Sequence, residues 1–147
     1  MWEAILQVLP YVLSVRGIAM MILGTAIGIV VGVLPGFSAA MGLALAVPIT
    51  FVMSPEIGLL VLAGIYNGAI YGGSIAAILV NIPGTPAAIA TSLDGYQMTK
   101  KGQANVALEA GLSASVFGGI VSALALLFIA PLLARVSLSI GPPEVFW

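Results

Sequence analysis

The chain contains apolar runs long enough to approach or cross a lipid bilayer, and it interrupts them with proline-glycine pairs. The first run, Gly17 to Leu34, nearly reaches the roughly 30 Å of a hydrocarbon core at about 1.5 Å per helical residue. It stops at "LPGFS". Pro35 disfavours a helical Leu34, Gly36 permits a turn, and Ser38 is placed to cap a new helix from Ala39. Inside a bilayer every backbone N–H and C=O needs a partner. A break therefore survives only where protein or a water-filled cavity supplies those partners.

Composition agrees with lipid as the solvent. Only 6% of the 147 residues are charged, against roughly 25% in soluble domains, and mean hydropathy is +1.23. Such a surface cannot be solvated by its own charges, so an integral membrane protein is expected. A net charge of −1, with no basic or acidic run, points away from nucleic acid. Cysteine and histidine are absent, which removes thiol chemistry, disulfides and most zinc, haem and proton-shuttle sites. The N-terminus, "MWEAILQVLPYVLSVRG", has Glu3 where a signal peptide would be basic. Residues 1–16 read as an amphipathic interfacial helix, with Trp2 and Tyr11 at the membrane surface.

Residues 17–147 then read as membrane helices and helix breaks. "AAMGLALAVPITFVM" carries Pro48 and is too short to cross comfortably. "SPE" begins the next helix, with Ser54 as N-cap, Pro55 at the first position and Glu56 at the positive dipole end. That run continues to Asn81, long enough to span with tilt, and ends at Pro83-Gly84. Thr85 is the expected N-cap of a short helix with Pro86 first, which turns polar through "SLDGYQMTKKG". A last apolar stretch runs from about Val106 to Leu133 and closes with "GPPE". The fold class is therefore all-α, polytopic, with discontinuous or re-entrant helices at the Pro-Gly breaks. Lys100 and Lys101, the one basic cluster, weakly favour a cytoplasmic placement.

Two glycine ladders, Gly24/Gly28/Gly32 and Gly64/Gly68/Gly72, each fall on one helix face and predict close helix packing. A sliding interface has the same pattern. "LPGFSAAMGLAL" also aligns without gaps with "IPGTPAAIATSL", sharing Pro-Gly, Ala-Ala and the last Leu. Chance similarity among small residues competes with a true repeat. Corresponding Gly/Pro interruptions nevertheless point to a transporter binding site.

A broken helix offers its free backbone groups to a ligand. The second break would present the N–H groups of Gly84, Thr85, Ala87 and Ala88 at a positive dipole end, which suits a carboxylate. The first break offers Gly36, Ser38 and Ala39 in the same geometry, with Ala40 leaving room behind. Carbonyls near Val80 and Asn81 suit a cation together with the Asn81 side chain, though a plain helix C-cap explains Asn81 equally well.

Asp94 reads first as part of an interfacial "DGYQ" turn; deep in the membrane it would be a proton or sodium site. Glu109 follows the same logic, near the lysines. Tyr66, Asn67 and Tyr71 either line a cavity or tie helices together. Paired carboxylates, Ser/His arrangements, GxxxxGK loops and metal-ligand clusters are lacking, so no enzyme is expected and no metal site is assigned.

"GVLPGFSAAMGLALAVPITF", "AGIYNGAIYGGSIAAILVNIPGTPAAIATSLDGYQMTKKGQA" and "ALEAGLSASVFGG" resemble the N-terminal region of the large membrane (TctA-type) subunit of tripartite tricarboxylate transporters. The resemblance runs from about Gly17 to "GPPEVF". It implies a bacterial inner-membrane, multi-pass carrier for citrate-like carboxylates, driven by a Na+ or H+ gradient, with no other cofactor. It also implies two partners, a periplasmic substrate-binding protein and a small membrane subunit. Members of that family are several times longer, so this chain is expected to be one part of such a subunit, its site completed by another repeat. The resemblance marks both Pro-Gly breaks as substrate contacts and assigns no coupling ion to a residue. A non-transporting helical scaffold and a small oligomeric channel are the alternatives, and counterflow of labelled citrate separates a carrier from a pore.

Overall fold

The computed structural model describes residues 8–138, and every regular element among them is a helix. A short helical stretch over residues 8–12 leads into α1 (Val15–Val33), α2 (Ala39–Thr50), α3 (Pro55–Val80), α4 (Ala88–Lys100) and α5 (Ala104–Leu138). Part of the expected interfacial helix, Trp2 included, and the "GPPE" stop lie outside the described residues. Helix α1 starts slightly earlier than its apolar run, because Ser14 caps it by accepting from the Gly17 N–H at 2.9 Å.

Helices α1 and α3, together with the segment Ala104–Ala130 of α5, are long and apolar enough to cross a membrane; α2 is a shorter apolar helix. The chain divides into two compact units, Met1–Gly111 and Leu112–Trp147. Within its described residues the second unit is the continuation of α5, with side chains 112–129 all exposed.

Helices α1 and α3 make the most extensive contact in the first unit. The only buried residues of α1 are Gly17, Gly24, Gly28 and Gly32. Gly24, Gly28 and Gly32 meet Val61, Ile65 and Ala69 of α3 in that order, while Gly64, Gly68 and Gly72 meet Met21, Thr25 and Ile29 of α1. Both series ascend together, so the helices run parallel with interlocked ladders. A methyl group at Gly64 would stand 2.6 Å from the Met21 carbonyl oxygen. Such a distance is open only to glycine, and it lets dispersion act between the two backbones.

Parallel neighbours need a return connection, and α2 provides it. Its 12 residues cover about 18 Å, and residues 51–54 complete the way back. A Cβ added at Gly42 of α2 would stand 3.2 Å from Val31 and 3.5 Å from Ile65, and one at Gly58 of α3 would stand 3.2 Å from Thr50. Ala46, Val61 and Ile65 form the core there, flanked by Met20, Leu43, Met53 and Leu62. Pro48 falls in the last turn of α2, where its missing N–H breaks the hydrogen-bond ladder just before the helix ends.

Candidate functional site

The first interruption, residues 34–38, forms as a compact turn. Leu34 leaves the helical region with its N–H on the Val31 carbonyl, Gly36 adopts φ +87°, and Phe37 donates to Leu34. Ser38 then caps α2, its hydroxyl accepting from the Met41 N–H at 3.2 Å. That hydroxyl is committed to the cap. The amides of Ala39 and Ala40, in the first turn, have no carbonyl one turn behind them to donate to.

The second interruption, residues 81–87, is a fold-back. Asn81 takes the left-handed conformation, φ 59°, with its N–H on the Ala77 carbonyl, so the C-cap reading accounts for its backbone. The chain then reverses along α3 until the Gly84 N–H donates to the Gly73 carbonyl at 3.4 Å. Gly73 lies about 10 Å short of the end of α3 at 1.5 Å per residue. Helix α4 climbs back from there: Gly95 packs on Ile78, and the Thr99 hydroxyl donates to the Ile78 carbonyl at 2.8 Å.

Three glycines make this junction possible. A Cβ at Gly84 would collide with the carbonyl oxygen of Gly32 and lie 2.9 Å from the Gly73 Cα. One at Gly73 would lie 3.0 Å from the Thr85 methyl and 3.2 Å from its hydroxyl oxygen. The second break is thereby seated on the last turn of α1, directly before the first break.

The N-cap expectation for Thr85 is corrected. Helix α4 begins at Ala88 behind Ala87, which is in the helical region and gives no side-chain cap. In the repeat the position matching Ser38 is Pro86, which has no hydroxyl, and a turn forms instead with the Ala88 N–H on the Thr85 carbonyl at 3.0 Å. The Thr85 side chain turns inward and is buried, its hydroxyl without a hydrogen-bond partner. The N–H groups of Gly84 and Ala88 are thus already occupied, which leaves those of Thr85 and Ala87 for a ligand.

The turn expected around Asp94 is also corrected. Asp94 lies inside α4 and is exposed. Gly95 serves close packing, since a Cβ there would come within 2.7 Å of the Ile78 Cγ1. Asp94 stands on an open groove of about 360 Å³ lined also by Ile78, Thr91, Met98 and Ala107, apart from the glycine junction. Glu109 and Tyr66 are exposed, Asn67 donates to the Ala63 carbonyl of its own helix, and the Tyr71 hydroxyl reaches the Leu108 carbonyl at 3.4 Å. Among the described residues no group of three His, Cys, Asp or Glu side chains is placed to hold a metal. Sequence reasoning did not single out Gly73 and Thr99, which hold the second break and α4 against α3. The "GG" doublet at Gly72-Gly73 was the available signal for the first of them.

Residues 18–147 match the Tripartite tricarboxylate transporter TctA family. The chain belongs to that family. It is also 48% identical over 123 residues to an "Uncharacterized 52.8 kDa protein in TAR-I ttuC' 3'region" of Agrobacterium vitis, an alignment covering 84% of this chain and 24% of that relative. This TctA-family chain therefore spans about a quarter of the curated relative it matches. No solved structure matches it. TctA is a transporter family and not an enzyme family, and its apolar helices fit a membrane protein.

Proposed function

We propose that this chain is the N-terminal part of the membrane permease subunit of a tripartite secondary transporter for tricarboxylates or similar carboxylates. It sits in the bacterial inner membrane as a multi-pass protein and works by symport with an ion. It takes substrate from a periplasmic binding protein and operates beside a small membrane subunit. The observation that supports the site is the seating of the second break, the segment leading into α4, on Gly73 and on Gly32 at the end of α1, just ahead of the first break.

The helix starts of α2 and α4 bear no charged side chain of their own. Their amides and partial positive charges supply the attraction for a carboxylate, from Ala39 and Ala40 on one side and Thr85 and Ala87 on the other. Gly36 and Gly84 allow the close approach, and Ser38 and Ala88 hold the turns in shape. A dipole-based site releases its anion more readily than an arginine clamp, as turnover requires.

The test is counterflow of labelled citrate in proteoliposomes containing the complete subunit, the small subunit and the binding protein. Exchange-accelerated uptake supports a carrier; its absence with leak present indicates a pore. In the same system Ala39→Pro deletes one free amide at a first helical position, where proline is tolerated after the extended Ser38. A raised citrate KM with intact membrane insertion is expected, and an unchanged KM removes the α2 terminus from the site.

A further inference from the structure

Thr85 is 8% exposed, and its hydroxyl is the one buried side-chain polar atom among the described residues with no hydrogen-bond partner. Such atoms are uncommon in native folds and call for a water, an ion or a strained state. A second unpartnered oxygen lies across the same glycine junction. The Gly32 carbonyl is in the last turn of α1, beyond the reach of the intrahelical ladder. The Leu34 N–H goes to Val31 and the Phe37 N–H to Leu34, so neither returns to Gly32. Its oxygen faces Gly84, the residue next to Thr85, while Gly84 and Thr85 both pack on Gly73.

We propose that a monovalent cation of sodium's size and hardness binds at this junction, held by the Thr85 hydroxyl oxygen and the Gly32 carbonyl oxygen. The assignment rests on the reading of the two breaks as a carrier's site. Oxygen ligands suit a hard cation, and both are neutral, which favours a single over a double charge. The C-terminus of α1 adds a partial negative charge at that point. A carboxylate on the helix starts of α2 and α4 would be the neighbour of this cation. Each ion would therefore strengthen binding of the other, which is the thermodynamic content of symport. This places the coupling ion at Thr85 and not at Asn81 or Asp94.

The test uses the purified complete subunit and needs no transport. Its melting temperature is compared in sodium chloride and in choline chloride of equal ionic strength, without citrate, for the natural protein, Thr85→Ser and Thr85→Val. Sodium raises the midpoint of the natural protein and of Thr85→Ser; for Thr85→Val the sodium concentration giving half the effect rises about tenfold or more. No sodium effect on the natural protein overturns the proposal and leaves a buried water at Thr85. A Thr85→Val protein with unaltered sodium response but weakened citrate uptake also overturns it, and assigns the hydroxyl to the carboxylate. A sodium response that depends on Thr85 in a protein without citrate counterflow upholds the cation site while the carrier reading fails.

Discussion

The Gly84 amide donates to the Gly73 carbonyl across 3.4 Å, well inside α3 from its C-terminal end at Val80. That bond marks the depth to which the second break folds back along its own helix. Everything proposed for the site depends on it, because it sets Thr85 against Gly73 and Gly84 against Gly32.

The interlocked ladders make glycine substitutions unequal. Gly64→Ala puts a methyl group 2.6 Å from the Met21 carbonyl and 3.0 Å from the Thr25 nitrogen, both backbone atoms that cannot rotate away. A loss of about 1–3 kcal/mol is expected. Gly119→Ala meets no atom within 4 Å and should be neutral or gain up to about 1 kcal/mol from helix propensity. Thermal unfolding of the 147-residue chain in detergent micelles measures both, and equal losses would contradict the packing.

Two serines that look alike as caps should differ. Ser38→Ala removes a hydrogen bond to the Met41 N–H and should cost about 1 kcal/mol. Ser54 makes no side-chain cap bond, so Ser54→Ala should stay within about 0.5 kcal/mol. Unfolding midpoints in the same micelles rank the pair.

Asn81 holds a positive φ that a β-branched residue resists. Asn81→Val should destabilise by about 1–2 kcal/mol, whereas Asn81→Gly keeps the reversal at little cost. Similar losses in both variants would mean that the Asn81 side chain, and not its backbone, holds the turn.

The hydroxyl of Thr99 ties α4 to the end of α3 through the Ile78 carbonyl. Thr99→Val keeps the shape and removes the tie, for about 0.5–1.5 kcal/mol. Amide hydrogen exchange should accelerate in α4 while α1 stays protected; uniform acceleration would place the tie's effect on the whole unit.

Much of this chain was legible before its structure. Apolar run lengths located α1, α3 and the membrane-length part of α5, and Ser38 announced the start of α2, because these features depend on nearest neighbours and the demands of lipid. Thr85 and Asp94 were misread for a shared reason. Both sit in local patterns that spell a cap and a turn, but Gly73 and Ile78 of α3 compete for the same positions with closer packing. Local chemistry lost to a contact it could not register.

The sequence by itself determined that the chain must be helical, where its helices are interrupted, and which faces are thin enough for backbones to meet. Those follow from hydropathy, proline's missing N–H and glycine's missing Cβ, all local properties. Only the tertiary structure decided that α1 and α3 run parallel, that the second break turns back onto the end of α1, and that the Thr85 hydroxyl faces inward without a partner. The reason is that 3.6-residue periodicity identifies a packing face but not its partner or direction. The partner is selected by the fit of Gly24, Gly28 and Gly32 into the ladder of Gly64, Gly68 and Gly72, and that fit exists only once both helices have formed.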